Sequence, residues 1–294
     1  MGTRITGMHA LFGKETDSLI GRSRSVFNLA NCCLQDVMEE GSPYSHLLAA
    51  TSCPDSISPS LGQNINQHFN QVLASSHTID FVQGCTGGVS VMIMASQLAE
   101  LNKSKVLVIA ADAAQKATSV TSDVYHVFKN GVFGCNISYT EDDKGLIHHK
   151  CWQYKDLHEV VTISLGHDAD QVIIGNPQDM RNDPRKHLGL KLDNALALRL
   201  MQKAEGFYLN FIAETDPPDI LILHQVNVMI INHLQKVFAK YPVNFINMAE
   251  ETGNCGCATT GIVLDAIKEK ILNKKVMLCS FGTGGVIIAG LWQF

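Results

Sequence analysis

Apolar positions in the 294-residue chain fall into short continuous runs alternating with longer stretches of helical spacing. Residues 78–83 (TIDFVQ) read as a strand running into Gly84-Cys85-Thr86-Gly87-Gly88, followed by an apolar helix over 89–102 and a buried strand over 105–110. An apolar strand, a helix and a second apolar strand form the pattern of parallel pairing with a crossover, since such strands are covered on both faces. The grammar recurs later in the chain. Residues 219–223 (DILIL) read as a strand, His224-Gln225-Val226-Asn227 as its exit, 228–241 and 257–272 as helices, and 276–280 as a further strand. The expected class is α/β.

No residue-by-residue repeat is visible, yet each half carries a reactive side chain where a strand hands over to a helix. Open α/β sheets form their sites beyond the carboxyl ends of strands, so this placement predicts one shared site. Residues 136–139 read as a strand and 141–145 (EDDKG) as a polar turn, which puts the boundary at residue 145. The expected halves are 1–145, carrying Cys85, and 146–294, carrying His224 and Asn254. No linker is long enough to imply independent domains.

Composition narrows the function classes. With 46% hydrophobic and 17% charged residues the chain can bury a large core. Lys and Arg total 23 against 28 Asp and Glu, a formal charge of -5, with no basic run, which argues against a nucleic-acid partner. Residues 1–12 do not read as a secretory leader, and no apolar run is long enough for a membrane span. A cytoplasmic location is expected. The nine cysteines are odd in number and spread through apolar segments, so reduced thiols are expected rather than a disulfide framework. Cys32-Cys33 and Cys255-Gly256-Cys257 lack a second pair at zinc-site spacing, and no metal is expected.

Three positions carry candidate chemistry. Cys85 lies among glycines where a helix begins, and the partial positive charge of a helix start favours thiolate over thiol. His224 follows the apolar strand directly, and Asn254 sits in a Gly-interrupted turn before a helix. Taken singly, each has a bland reading: a packed core cysteine, a satisfied structural histidine, a turn or capping asparagine.

Together they carry a family resemblance. GCTGG around Cys85 looks like the nucleophile turn of the ketoacyl synthases of type III, HQVN at 224–227 closely resembles their HQxN box, and GNCGCATT at 253–260 resembles their GN box. The run SFGTGGVIIAG at 280–290 is similar to their terminal glycine turn. The four motifs stand in family order from residue 78 to the end. The chain thus resembles the 3-oxoacyl-[acyl-carrier-protein] synthase III-like family of the thiolase superfamily. The resemblance implies a thiolase-like fold, two pseudo-related βαβ halves in a layered αβαβα arrangement.

It also implies roles. Cys85 would take an acyl group from a thioester, with an oxyanion hole from the backbone N–H groups of Cys85 and Thr283. His224 and Asn254 would stabilise the enolate formed when a malonyl-type extender loses carbon dioxide, giving a β-ketoacyl product of fatty acid or polyketide type. Gln225, Asn227, Gly282, Gly284 and Gly285 would contact substrate. Substrates would arrive as coenzyme A or acyl-carrier-protein thioesters, with no further cofactor, and the protein would form a homodimer or a heterodimer with a related subunit. The chain departs from the family pattern in a shorter N-terminal part without its Trp- and Arg-containing stretch, in the apolar Val228-Met229-Ile230-Ile231 after the HQxN box, and in Lys129–Gly134 where a GDGA-like stretch is usual. The first two departures favour a carrier-protein donor, or a different thioester donor, over coenzyme A. Acyl transfer without condensation and a scaffold subunit of a heterodimeric condensing enzyme are the competing readings.

Overall fold

The structure is a computed structural model and describes residues 2–20, 25–39, 43–118, 125–165 and 188–294. The first half runs β1 (Gly2–Phe12), α1 (Ser25–Val37), β2 (His46–Ala50), α2 (Leu61–His68), β3 (His77–Phe81), α3 (Gly87–Asn102), β4 (Lys105–Ala113) and β5 (Asn130–Thr140). Its five strands form one sheet in the order β1-β5-β4-β2-β3. β2 is parallel to β3 and β4, and β5 is antiparallel to β4 and β1.

The second half runs β6 (Gly145–Gln153), a hairpin of β7 (Val161–Leu165) and β8 (Leu188–Leu192), α4 (Asn194–Ile212), β9 (Ile220–Leu223), α5 (Val228–Phe238), β10 (Asn244–Ile246), α6 (Thr259–Ala266), β11 (Lys275–Gly282) and β12 (Val286–Gln293). Its main sheet has the order β10-β9-β11-β12-β6. Without the β7–β8 hairpin, the two halves thread five strands in the same order and with the same pattern of parallel and antiparallel pairs. The repeat is therefore present in topology though absent from the letters.

Alternation along the strands assigns the layers. Val106, Val108 and Ala110 of β4 point into a central core with α3 and α6, while Leu107, Ile109 and Ala111 point out toward α1. β11 does likewise, with Val276 and Leu278 central and Met277, Cys279 and Phe281 facing α4 and α5. Because successive side chains alternate, a strand covered on both faces must be apolar at every position, which is what KVLVIA and DILIL show. α3 is nearly apolar all round and is buried between the sheets, as its composition requires. The outcome is the αβαβα sandwich of the thiolase fold.

Some expected boundaries shift. The helix expected over 228–241 ends at Phe238, three residues before Tyr241-Pro242, and the residue before a proline disfavours helical geometry. The stretch 257–272 is not one helix. A 3-10 turn (Gly256–Ala258) leads into α6, which ends at Ala266 where the chain turns polar, and a second 3-10 turn follows (Lys268–Lys270).

Candidate active site

The chain after β3 carries Cys85 in a 3-10 turn (Gly84–Thr86) feeding α3. Gly84 has φ +54°, and a Cβ there would lie 2.3 Å from Thr283 Oγ1, so both conformation and space demand glycine. The far half holds this turn in place. Thr283 Oγ1 donates to Gln83 O at 2.9 Å, and Ser280 Oγ donates to Cys85 O at 2.8 Å. A Cβ on Gly282 would lie 3.4 Å from Cys85 Sγ, so the β11 backbone passes close to the sulphur.

The expectation that the helix start favours thiolate is corrected by this geometry. Burial first, and then the nearby carboxylate of Asp112, push the Cys85 thiol up to about 12. The helix start is one 3-10 turn away, and desolvation outweighs it.

His224 leaves the end of β9 with its backbone N–H bonded to Cys279 O at 2.9 Å. Its ring is 0% exposed. Burial lowers its pKa to about 4, with the Asn254 side chain pulling the other way, so the imidazole is neutral at pH 7. Asn254 lies near enough for that pull, yet neither ring nitrogen completes a hydrogen bond of ordinary geometry. The ring meets Phe281 edge-on at 6.1 Å. A buried neutral imidazole without partners is costly, and such a group calls for an explanation.

Asn254 is placed by the chain on both sides. Its N–H donates to Val127 O, its carbonyl accepts from Lys129 N, and its Oδ1 accepts from Gly256 N at 3.0 Å. With the oxygen committed, the amide NH₂ remains as the donor. Cys85 and Asn254 border one cavity of about 70 Å³, together with Asn227, Phe281 and Gly282, walled by apolar side chains such as Phe128 and Leu200. His224 does not border it; Phe281 does. A larger groove of about 460 Å³ lies along the nucleophile turn and is bordered by Gln83, Gly84, Thr283 and Gly284.

The remaining expected contacts divide. Gln225 is fully buried, its amide donates to Leu223 O at 2.6 Å and its Oε1 accepts from Met248 N at 2.9 Å, so it braces the backbone instead of reaching the cavity. Asn227 caps α5 by accepting from Ile230 N at 2.9 Å while still bordering the cavity. Gly285 has φ +65° and packs against the Tyr154–Leu157 backbone, where a Cβ would sit 2.7 Å from Leu157 O; it joins two chain segments. Among the described residues no His, Cys, Asp and Glu cluster could hold a metal, and no helix is long and apolar enough to cross a membrane.

Sequence reasoning missed Asp112, the lone acid ending the apolar run KVLVIAAD, and Phe281. Asp112 is 0% exposed and accepts from Thr51 Oγ1, Ser52 N, Ser52 Oγ and Cys257 N at 2.7–3.0 Å. A charged residue inside an apolar strand was the available signal.

Comparison with known proteins points to one family. Residues 213–294 match the family described as 3-oxoacyl-[acyl-carrier-protein (ACP)] synthase III C terminal. A beta-ketoacyl-[acyl-carrier-protein] synthase III of Rickettsia prowazekii is 24% identical over 277 residues, covering 91% of this chain and 82% of that protein. Solved structures of 3-oxoacyl-[acyl-carrier-protein] synthase III from Aquifex aeolicus and Pseudomonas aeruginosa superpose with TM-scores of 0.77 and 0.78 at 16% and 13% identity. Both cover 100% of this chain, and 100% and 98% of their own. The family match covers the C-terminal part of the chain, and the relatives and solved structures extend the likeness over its whole length: the chain is similar to the 3-oxoacyl-[acyl-carrier-protein] synthase III proteins and shares their thiolase-like fold.

Proposed function

We propose that the protein is a decarboxylating condensing enzyme that holds an acyl group on Cys85 and hands it to a malonyl-type extender, whose thioester becomes the β-ketoacyl product. Cys85 displaces a thiol from an acyl thioester and retains the acyl group, and its own proton leaves with the departing thiol. Because the resting thiol is strongly protonated, that proton must move as the carbon–sulphur bond forms. The Cys85 and Thr283 N–H groups stabilise the oxyanion, a role supported by the close approach of Gly282 to the sulphur and of Thr283 to Gly84.

A malonyl-type thioester then loses carbon dioxide, its enolate carbon attacks the acyl group on Cys85, and the Cys85 sulphur is expelled as thiolate, which takes up a proton from solvent to return to the resting thiol. Negative charge develops on the thioester oxygen, which calls for fixed neutral donors. Asn254 offers an amide NH₂ whose partner oxygen is already tied, and His224 is neutral across the physiological range. The observation that carries this reading is the sharing of one small cavity by Cys85 and Asn254, with the His224 ring, unbonded among the described residues, 6.1 Å from the ring of Phe281, which borders that cavity. Simple acyl transfer has no use for a second oxygen-directed donor.

The apolar cavity wall suits an aliphatic acyl chain. The absence of the family's Trp- and Arg-containing stretch favours a carrier-protein thioester as donor, and no further cofactor is needed. A dimer, in a fatty acid or polyketide type of synthesis within the cytoplasm, completes the reading.

The test is intact-protein mass spectrometry of wild type and Cys85→Ala with a panel of acyl-carrier and acyl-coenzyme A thioesters, followed by malonyl-carrier. An adduct confined to wild type that disappears as carbon dioxide and a β-ketoacyl product form is the expected result. An adduct released without decarboxylation gives the acyltransferase reading, and no adduct with any donor gives the scaffold reading.

A further inference from the structure

Asp112 is a buried carboxylate with no Lys, Arg or His ion-pair partner among the described residues, a setting in which a charge persists only if its lone pairs are filled. They are filled by two separate parts of the fold. Thr51 Oγ1, Ser52 N and Ser52 Oγ donate from the exit of β2 at 3.0, 2.7 and 2.7 Å, with the Cys53 thiol at 3.3 Å. Cys257 N donates at 2.8 Å from the GN turn of the other half, 145 residues away.

The contact with the GN turn is close. Gly256 has φ +57°, and a Cβ on it would lie 2.0 Å from Asp112 Oδ2. Gly256 is also the residue whose N–H fixes Asn254 Oδ1. On the other side, a Cβ on Gly88 would lie 2.0 Å from Cys257 O, so the start of α3 rests on the same turn. Ser52, Cys53 and Gly256, which all surround the carboxylate, border one void of about 20 Å³ with Cys85.

We infer that Asp112 is a positioning residue for condensation: it pins the Gly256-Cys257 turn against the β2 exit and thereby sets Asn254 in register with Cys85. The inference rests on the condensing reading above. Its negative charge has a second consequence: burial is the main cause that raises the Cys85 thiol, and the Asp112 carboxylate adds to it by opposing thiolate formation.

Asp112→Asn keeps the shape and removes the charge. Its amide can still accept from Thr51 and Ser52, but it presents N–H toward either the Cys257 N–H or the β2 exit, so one side of the clamp is lost. Two opposite changes are expected in the folded variant. Iodoacetamide should alkylate Cys85 faster at pH 7.5, by about tenfold for each unit its pKa falls, because only the thiolate reacts. Condensation from pre-acylated enzyme should fall on the order of 10²-fold, the cost of misplacing a reacting group by about 1 Å, while acyl loading persists.

A residue with a merely structural role would slow both or neither. An unchanged alkylation profile with an unchanged ratio of condensation to loading overturns the inference. If Asp112→Asn does not fold, Ser52→Ala serves instead: it removes one donor to Oδ2 and keeps the charge. It should leave the alkylation profile in place and lower condensation relative to loading, and no drop in that ratio overturns the inference. Should wild type fail to condense any pair of thioesters, the condensing reading falls, whereas the alkylation profile still reports on Asp112.

Discussion

The two halves use matching strand ends for opposite purposes. In the first sheet Ala50 of β2 pairs with Ala110 of β4, so Thr51 and Asp112 lie just past that rung; in the second, Leu223 of β9 pairs with Cys279 of β11, so His224 and Phe281 hold the same two places. Thr51 and Asp112 are joined by a 3.0 Å hydrogen bond and every lone pair of the carboxylate is served. His224 meets Phe281 edge-on and, among the described residues, makes no bond through either nitrogen. One scaffold position has become a satisfied clamp and its counterpart an unsatisfied donor held for something that arrives later. Satisfaction marks structure; a buried polar group left open marks function.

Substitution at the open position gives the largest effect. His224→Ala should lower the condensation rate from pre-acylated enzyme by about 10²–10³-fold, the usual cost of one lost oxyanion donor. Acyl loading should stay near wild type, and folding should lose only the packing of the buried ring, because no hydrogen bond among the described residues goes with it. Single-turnover kinetics with a pre-loaded acyl group measures this, and a large drop in melting temperature without a rate effect would erase the contrast between the two strand ends.

Acid sharpens the same contrast. The folded pKa of His224, about 4, lies below its ordinary value of 6.5. Between those two values the unfolded chain binds a proton that the folded chain refuses, so stability is complete above pH 6.5, falls as pH drops toward 4, and levels off below. At about 1.4 kcal/mol per pKa unit the loss comes to about 3–4 kcal/mol. Urea unfolding at a series of pH values should show this difference between wild type and His224→Asn, which has no such proton to refuse. Parallel pH dependences in the two proteins would mean that the imidazole is not buried neutral.

Much of this was legible in the chain itself. GCTGG, HQVN and GNCG are local and keep their spacing, because a backbone turn that must present a side chain leaves little freedom in glycine placement. The apolar runs KVLVIA and DILIL announced strands covered on both faces. What stayed hidden depends on the packing of distant segments. Asp112 and Cys257 lie 145 residues apart, and nothing in either neighbourhood reports the other. The motif HQVN does not show that Gln225 braces Leu223 and Met248 away from the cavity, nor that Asn227 caps α5 while it borders the cavity beside Cys85. The charge state of Cys85 is hidden for the same reason: a helix start is visible in sequence, whereas the burial that raises the thiol is a property of the assembled core.

The smallest expected effect lies at the closed position. Thr51→Val keeps the shape of the side chain and deletes the donor to Asp112 and the acceptor for Cys53 N. Losing a hydrogen bond to a charged group should cost about 1.5–3 kcal/mol of folding stability. The rates need not follow, because Thr51 serves Oδ1 of Asp112 while Cys257 N is held by Oδ2, and the bond that reaches across to the GN turn survives. Chemical denaturation beside single-turnover condensation separates the two quantities. A stability loss with near-normal turnover per folded molecule is expected, the mirror image of His224→Ala. A turnover loss as deep as that of His224→Ala would show that the two strand ends act as one unit, with the clamp inseparable from the chemistry.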